Sequence, residues 1–152
     1  MYDRPTLAEL LDAVRLHLET AVIPAVRGDR QLYFRTLVAL NVLKIAGREL
    51  QMNAGHARNE WLRLNAVEGA DQPMPNSEQA LRDALMRRNA SLCEDIRSGA
   101  YDAHRDRNRF ALFEHLKATA LDQLTVANPR FLAKLREEDE EPAERDAWHG
   151  RM

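Results

Sequence analysis

Three polar residues, Asn41, Lys44 and Arg48, interrupt the most apolar stretch of the chain at intervals of three and four residues. In a helix, this spacing places the three side chains on one narrow arc. An amide beside two cations can hold the polar group of a ligand or of a partner protein, although a solvent-exposed seam would show the same pattern. Together with Arg130, these residues are the candidate ligand- or partner-binding residues of the chain.

Residue types that serve as metal ligands or nucleophiles are scattered along the chain. No Glu is followed by a His three residues later, and H-E-x-x-H does not occur, so no metal site is predicted. Cys93 lies at the edge of an apolar stripe and is predicted to be a buried, inert thiol. His115 falls on the polar side of its predicted helix and is expected to be exposed. We predict no catalytic residue and no cofactor; an enzyme site assembled from dispersed residues such as Arg48, His115 and Arg130 is the alternative.

Neither the sequence motifs nor the charge pattern indicates nucleotide or nucleic-acid binding. Neither G-x-x-x-x-G-K-[ST] nor G-x-G-x-x-G occurs. The net charge of −2 is uneven, because residues 137–152 contain seven acidic and two basic side chains. The rest of the chain holds 20 basic and 17 acidic residues, without the clustered basic face of a nucleic-acid-binding protein. We therefore expect no nucleic-acid partner.

Neither membrane insertion nor export is predicted. No apolar run approaches the roughly 18 residues that a membrane span needs. The residues from Met1 to Pro5 have neither the basic start nor the apolar core of a signal peptide. Because a single cysteine also rules out an internal disulfide, we expect a cytoplasmic protein.

Apolar residues at helical spacing define five stretches of the chain. Thr6 and Glu9 fit a capping box, Pro24 ends or kinks the first helix, and Gly99 suits a left-handed C-terminal cap. The predicted helices span about 6–24, 30–52, 54–68, from Asn76 or Ser77 to near Gly99, and about 106–127. Beyond them, Phe131, Leu132 and Leu135 are expected to pack as one more turn or two.

The helix-face patterns also predict which side chains form the core. In the predicted helix at 30–52, an apolar arc from Val38 to Leu50 covers more than half of the circumference. We therefore expect this helix at the centre of the bundle, packed on two or more sides. Asn89 interrupts the stripe of its helix and is expected to be a paired amide that sets the register between helices. The stripe of the 106–127 helix consists of Phe110, Phe113, Leu116, Ala120, Leu121 and Leu124.

These elements predict an all-α protein, a compact bundle of about five helices with no sheet and an acidic C-terminal tail. Neither side of the loop at 69–76 carries enough core to stand alone, so residues 1–136 are predicted to form one domain. Residues 137–152 are predicted to form an acidic tail that is solvated or disordered.

Two sets of segments resemble an uncharacterised family of small bacterial all-helical proteins, a domain of unknown function. The first set comprises Arg4-Pro5-Thr6 through Glu9-Leu10-Leu11, Asn41 and Arg48-Glu49-Leu50. The second comprises His115-Leu116-Lys117-Ala118-Thr119 and Leu124-Thr125-Val126-Ala127-Asn128-Pro129-Arg130-Phe131. Asn89 and Ile96-Arg97-Ser98-Gly99 are similar to the family's middle segment, and the resemblance covers about residues 4–133.

The resemblance implies a working context rather than a mechanism, since the family has no established activity or catalytic residues. Its members are encoded beside, or fused to, aminoglycoside-phosphotransferase-like kinases and near acyl-CoA dehydrogenases. With the missing catalytic motifs, this context favours a non-catalytic accessory or interaction module, expected to be homodimeric, that binds a kinase-like or acyl-CoA-metabolising enzyme. The alternative is a small-ligand-binding protein that holds an acyl chain or a CoA-linked metabolite between its helices.

Overall fold

The computed structural model describes residues 4–102 and 107–140, and within them every regular element is helical. These residues form five successive helices, and the predicted all-α class is confirmed. The first helix, α1, consists of three consecutive segments, Leu7–His17, Leu18–Val22 and Ile23–Ala25. The others are α2 (Arg30–Glu68), α3 (Glu78–Arg97), α4 (Arg107–Ala127) and α5 (Pro129–Glu140).

Helix α1 begins and ends where local sequence signals predict. Thr6 Oγ1 accepts from the Glu9 amide at 3.2 Å, and the Thr6 amide donates to Glu9 Oε2 at 2.7 Å, which completes the capping box. The helix widens into a π-helical turn at Leu18–Val22, immediately before Pro24, and ends at Ala25. Because proline lacks an amide hydrogen, Pro24 leaves one hydrogen bond of the last turn unmade, while the Val26 amide donates to the Val22 carbonyl at 3.0 Å.

Helix α2 is a single element of 39 residues, where the sequence predicted two separate helices. Asp29 caps its start by accepting from the amides of Gln31 and Leu32, and Gly69 ends it with a φ of +64°. Between these caps the segment around Met52 to Gly55 contains neither a proline nor a capping motif. An isolated glycine in a helix costs only about 1 kcal/mol, so Gly55 does not interrupt the element.

Helices α3 and α5 begin with side-chain caps. Ser77 Oγ accepts from the Ala80 amide at 3.2 Å, and Gly99, with a φ of +79°, follows the end of α3 as predicted. Asn128 Oδ1 accepts from the Phe131 amide at 3.2 Å, so Asn128-Pro129 ends α4 and starts α5. Helix α5 exceeds the expected turn or two and reaches Glu140, inside the acidic segment. The predicted helix start at Asp106 lies outside the described residues.

The main core lies around the C-terminal half of α2. Ser77 and Leu81 lie near the middle of α2 and Arg88 pairs near its end, so α3 runs parallel to this half. Helix α4 runs antiparallel, because Thr119 lies beside Arg63 and Val126 beside Arg48. The buried core side chains are Ala57, Trp61, Leu64, Val67, Leu81, Leu85, Leu92 and Leu112.

Two predicted apolar faces are exposed in part. Val38, Val42 and Leu50 are exposed while Leu40 is buried, so only part of the predicted apolar arc of the 30–52 segment is covered. Helix α2 is nevertheless the element that α1, α3 and α4 all contact. On α4, Phe110 and Phe113 are exposed while Leu112 and His115 are buried. A helix with apolar residues on several faces can bury any one of those faces. Which face is buried depends on where the neighbouring helices pack.

Candidate functional site

A cleft between α2 and the junction of α4 with α5 brings together all four candidate residues from the sequence. We call it the basic cleft; its volume is about 530 Å³. Helix α2 contributes Leu37, Leu40, Asn41, Lys44 and Arg48, and the junction contributes Ala127, Asn128, Pro129 and Arg130. Three of these described lining residues are basic and none is acidic, which favours an anionic occupant.

Arg48 is held in place at the floor of the basic cleft by a backbone carbonyl. Its Nε donates to the Val126 carbonyl oxygen at 2.6 Å, across a separation of 78 residues. Val126 belongs to the last turn of α4, where carbonyl groups have no partner within the helix. The contact therefore satisfies that carbonyl and also fixes the plane of the half-buried guanidinium group.

Lys44 forms an ion pair with Glu19 on the side of the cleft that faces α1. Its Nζ lies 2.7 Å from Glu19 Oε1, while Arg15 Nη1 donates to Glu19 Oε2 at 2.7 Å. The hydrogen bond from Lys44 is the largest influence that lowers the pKa of the Glu19 carboxyl below its usual value, and burial acts in the opposite direction. Lys44 thus connects α1 to α2, and its charge is balanced by Glu19.

Arg48 and Arg130 have no such compensation. Within the described residues, no carboxylate lies within ion-pair distance of either guanidinium group. Arg130 and Asn41 are exposed at the mouth of the cleft. The cleft therefore presents two guanidinium groups without an acidic partner among the described residues, together with the exposed amide of Asn41.

A second polar cluster lies between α2, α3 and α4. We call it the polar layer; it consists of Glu60, Arg63, Asn89, His115, Thr119 and Asp122. Arg63 Nη2 donates to Asp122 Oδ2 at 2.9 Å and lies 3.4 Å from Thr119 Oγ1. Asn89 Nδ2 donates to Glu60 Oε1 at 2.7 Å, so the predicted role of Asn89 as a paired amide between helices is confirmed. These contacts connect all three helices through charged hydrogen bonds.

His115 is the innermost member of the polar layer, and the prediction that it is exposed is wrong. Its side chain is 2% exposed, and its Nδ1 has no hydrogen-bond partner within the described residues. Burial lowers the pKa of His115, and the charges of Arg63 and Arg88 lower it further, while Glu60 raises it. Burial and the two arginine charges therefore favour the neutral imidazole.

The three residues of the alternative enzyme site, Arg48, His115 and Arg130, do not lie in one cleft. Arg48 and Arg130 line the basic cleft, whereas His115 is buried in the polar layer and does not line that cleft. Cys93 is exposed on α3, contrary to the predicted buried thiol. Across residues 4–102 and 107–140, no three His, Cys, Asp or Glu side chains form a group that could hold a metal ion.

An apolar groove lies between the start of α1, the middle of α2 and the start of α3. Its volume is about 930 Å³. The apolar walls of this groove come from Leu7, Leu11, Ala46, Leu50, Ala54, Ala57, Met74, Pro75 and Leu81, and the polar residues around it include Glu49, Glu78, Arg58 and Arg82. Sequence periodicity did not reveal the groove, because its walls come from three elements and a loop.

Two apolar stripes are exposed on the helix surfaces. The α4 stripe consists of Phe110, Phe113 and Leu116, which are 71%, 62% and 48% exposed. The α2 stripe consists of Phe34, Val38 and Val42, spaced four residues apart on one helix face, and all three are exposed. Large apolar side chains that cluster on a surface are typical of interaction sites.

The sequence analysis did not predict the polar layer, although the spacing of three polar residues on α4 indicates it. His115, Thr119 and Asp122 follow one another at intervals of four and three residues, which is the spacing of one helix face. That polar face was interpreted as solvated because the opposite face carries two phenylalanines. The partners that bury it, Arg63 and Arg88, lie far away in the sequence.

The fold and these sites define an all-α protein built around one long helix, with a basic cleft and exposed apolar stripes. The chain belongs to the family of domains of unknown function DUF6285, whose model matches residues 24–131. No curated protein and no solved structure matches the chain. Within the described residues, no helix is long and apolar enough to cross a membrane.

Proposed function

We propose that this protein is a non-catalytic helical interaction module. The observation that carries the proposal is the α4 stripe, where Phe110, Phe113 and Leu116 are exposed on one helix. Exposed aromatic side chains are enriched at the centres of protein interfaces. The α2 stripe supports the same conclusion, since it offers a second apolar surface at the other end of the molecule.

The partner that we propose is an aminoglycoside-phosphotransferase-like protein, with an acyl-CoA-metabolising enzyme as the other candidate. This choice rests on the family resemblance and its implied neighbourhood. A second copy of the chain is a further expected partner, and the two stripes leave room for both contacts on one molecule. Full burial of an exposed phenylalanine or leucine side chain contributes about 1.5–3 kcal/mol, so the α4 stripe would supply the apolar centre of an interface.

The test is co-purification of an aminoglycoside-phosphotransferase-like protein from the native cells, with the full chain tagged at its native expression level. Phe113→Ser should reduce recovery of that protein by about tenfold or more, since an interface hot spot contributes 2 kcal/mol or more. Leu62→Ser is the matched control, because Leu62 is 59% exposed on α2, similar to Phe113 at 62%. Equal recovery by both variants, or no kinase-like protein with the wild type, contradicts the proposal.

A second candidate function is the binding of an acyl chain, and the apolar groove favours it. Ligand pockets in proteins typically occupy about 300–1,000 Å³, and the groove falls in this range at about 930 Å³. Its apolar walls suit an acyl chain, and Arg58 and Arg82, which lie around the groove together with Glu49 and Glu78, are the cations that could meet an anionic head group.

A thermal-shift titration with lauric acid and lauroyl-CoA tests this second function. Binding should raise the melting temperature of the wild type, and Ala54→Trp should abolish the shift because the indole fills the groove. Ala39→Trp is the control, since Ala39 is also exposed on α2 but does not line the groove. A melting temperature that neither compound changes would eliminate the acyl-binding function.

A further inference from the structure

We propose that the basic cleft binds the phosphate group of a phosphate monoester. The inference goes beyond the interaction module, because the cleft lies at the junction of α4 and α5 rather than on either apolar stripe. It concerns a small molecule, and it does not depend on which protein the module contacts.

The charge of the cleft sets the class of ligand. Arg48 and Arg130 line it without a carboxylate partner in the described part of the chain, whereas Lys44 is neutralised by Glu19 at 2.7 Å. The two unpaired guanidinium groups match the two negative charges that a phosphate monoester carries above its second pKa of about 6. A carboxylate offers only one charge, so it is the poorer match.

The geometry of Arg48 suits an oxyanion. Its Nε is used by the Val126 carbonyl at 2.6 Å, which leaves the terminal nitrogens of a fixed planar group for a ligand. Guanidinium groups recognise phosphate oxygens through paired hydrogen bonds, and a group already held in place loses little entropy on binding. Asn41, two turns before Arg48 on α2, adds an amide donor to the same cleft.

The size and walls of the cleft indicate an organic ester rather than a free ion. A volume of about 530 Å³ exceeds the needs of inorganic phosphate and falls within the range of small-molecule sites. Leu37, Leu40 and Pro129 provide apolar surface beside the cations. We therefore expect the phosphate to meet the arginines while the organic group lies against these side chains.

The experiment is a calorimetric titration of the full chain at pH 7.5 and fixed salt, with phenyl phosphate, inorganic phosphate and benzoate as separate probes. Phenyl phosphate should bind saturably and more tightly than either other probe. Arg130→Glu should weaken its binding by about tenfold or more, because it removes a charged hydrogen-bond donor and places a carboxylate beside the phosphate. Arg130 is exposed, so its replacement leaves the core intact.

Arg87→Glu is the matched control, since Arg87 is exposed on α3 and its reversal changes the net charge by the same amount. It should leave the affinity for phenyl phosphate within about twofold, a change of only about 0.4 kcal/mol. Equal weakening by both variants would show a non-specific charge effect and overturn the proposal. So would the absence of saturable phenyl phosphate binding, or benzoate binding of equal strength. None of these results depends on the partner protein. Failure of the phosphate proposal would therefore not decide whether the protein is an interaction module.

Discussion

The guanidinium carbon of Arg88 lies 4.2 Å from the centroid of the Trp61 ring. The same group donates from Nε to Glu68 Oε1 at 2.9 Å and from Nη2 to the Asn65 side chain at 2.9 Å. Arg88 thus contacts three residues of α2 that lie on successive turns. Since the side chain is only 9% exposed, this cation is a structural connection between α3 and α2.

We predict that Arg88→Ala lowers the free energy of unfolding by about 2–4 kcal/mol. The loss combines the cation–π contact with an unpaired Glu68 carboxylate in a partly buried site. Arg88→Lys keeps the charge but loses the planar group, so it should fall between the alanine variant and the wild type. Chemical denaturation measures all three. The exposed neighbour Arg87→Ala is the control and should change the free energy by less than about 0.5 kcal/mol; a similar loss in Arg87→Ala would refute the assignment.

We predict that His115 makes the fold less stable in acid. Burial, with Arg63 and Arg88, lowers the pKa of His115 in the folded state, while the unfolded state keeps a pKa of about 6.5. The unfolded chain therefore binds this proton more tightly. The stabilisation is complete above about pH 6.5 and is lost as the pH falls toward the lower folded value.

Urea denaturation of the wild type and of His115→Leu at pH 7.5 and pH 5.0 tests this prediction. The leucine variant should lose less stability between the two pH values, because it lacks the group that takes up the proton. His17→Gln, at an exposed position on α1, is the control and should follow the wild type. A His115→Leu variant with the same acid loss as the wild type would contradict the prediction.

We predict that Gly55→Ala stabilises the protein by about 0.5–1 kcal/mol, because Gly55 lies within α2 and alanine is the better helix former. A β-carbon at this position meets no atom within 4 Å. Gly69→Ala is the counterpart, and it should destabilise by about 1 kcal/mol because Gly69 has a φ of +64°. Thermal denaturation distinguishes the two. If Gly55→Ala were neutral or destabilising, α2 would be interrupted near Met52, as the sequence alone suggested.

Asn41, Lys44 and Arg48 were found from local spacing, but the cleft in which they meet Arg130 was not. Asn41, Lys44 and Arg48 share one helix arc, so any helical arrangement keeps them together. Arg130 joins them because Asn128 and Pro129 end α4 beside Arg48, a contact between residues 78 positions apart that no local pattern contains. The role of Lys44 also changed, since its pairing with Glu19 depends on how α1 packs against α2.

The amino-acid sequence by itself determined the helical class and the ends of most helices. Thr6, Ser77 and Gly99 act on backbone groups within a few residues of themselves, and such signals need no tertiary contact. The tertiary structure alone decided which helix face is buried. On α4 the apolar face with Phe110 and Phe113 was the stronger candidate, yet the buried face is the one with His115, where Arg63 of α2 pairs with Asp122. The physical reason is that burial of a face depends on what the neighbouring helices present, and paired hydrogen bonds can offset the cost of burying polar groups.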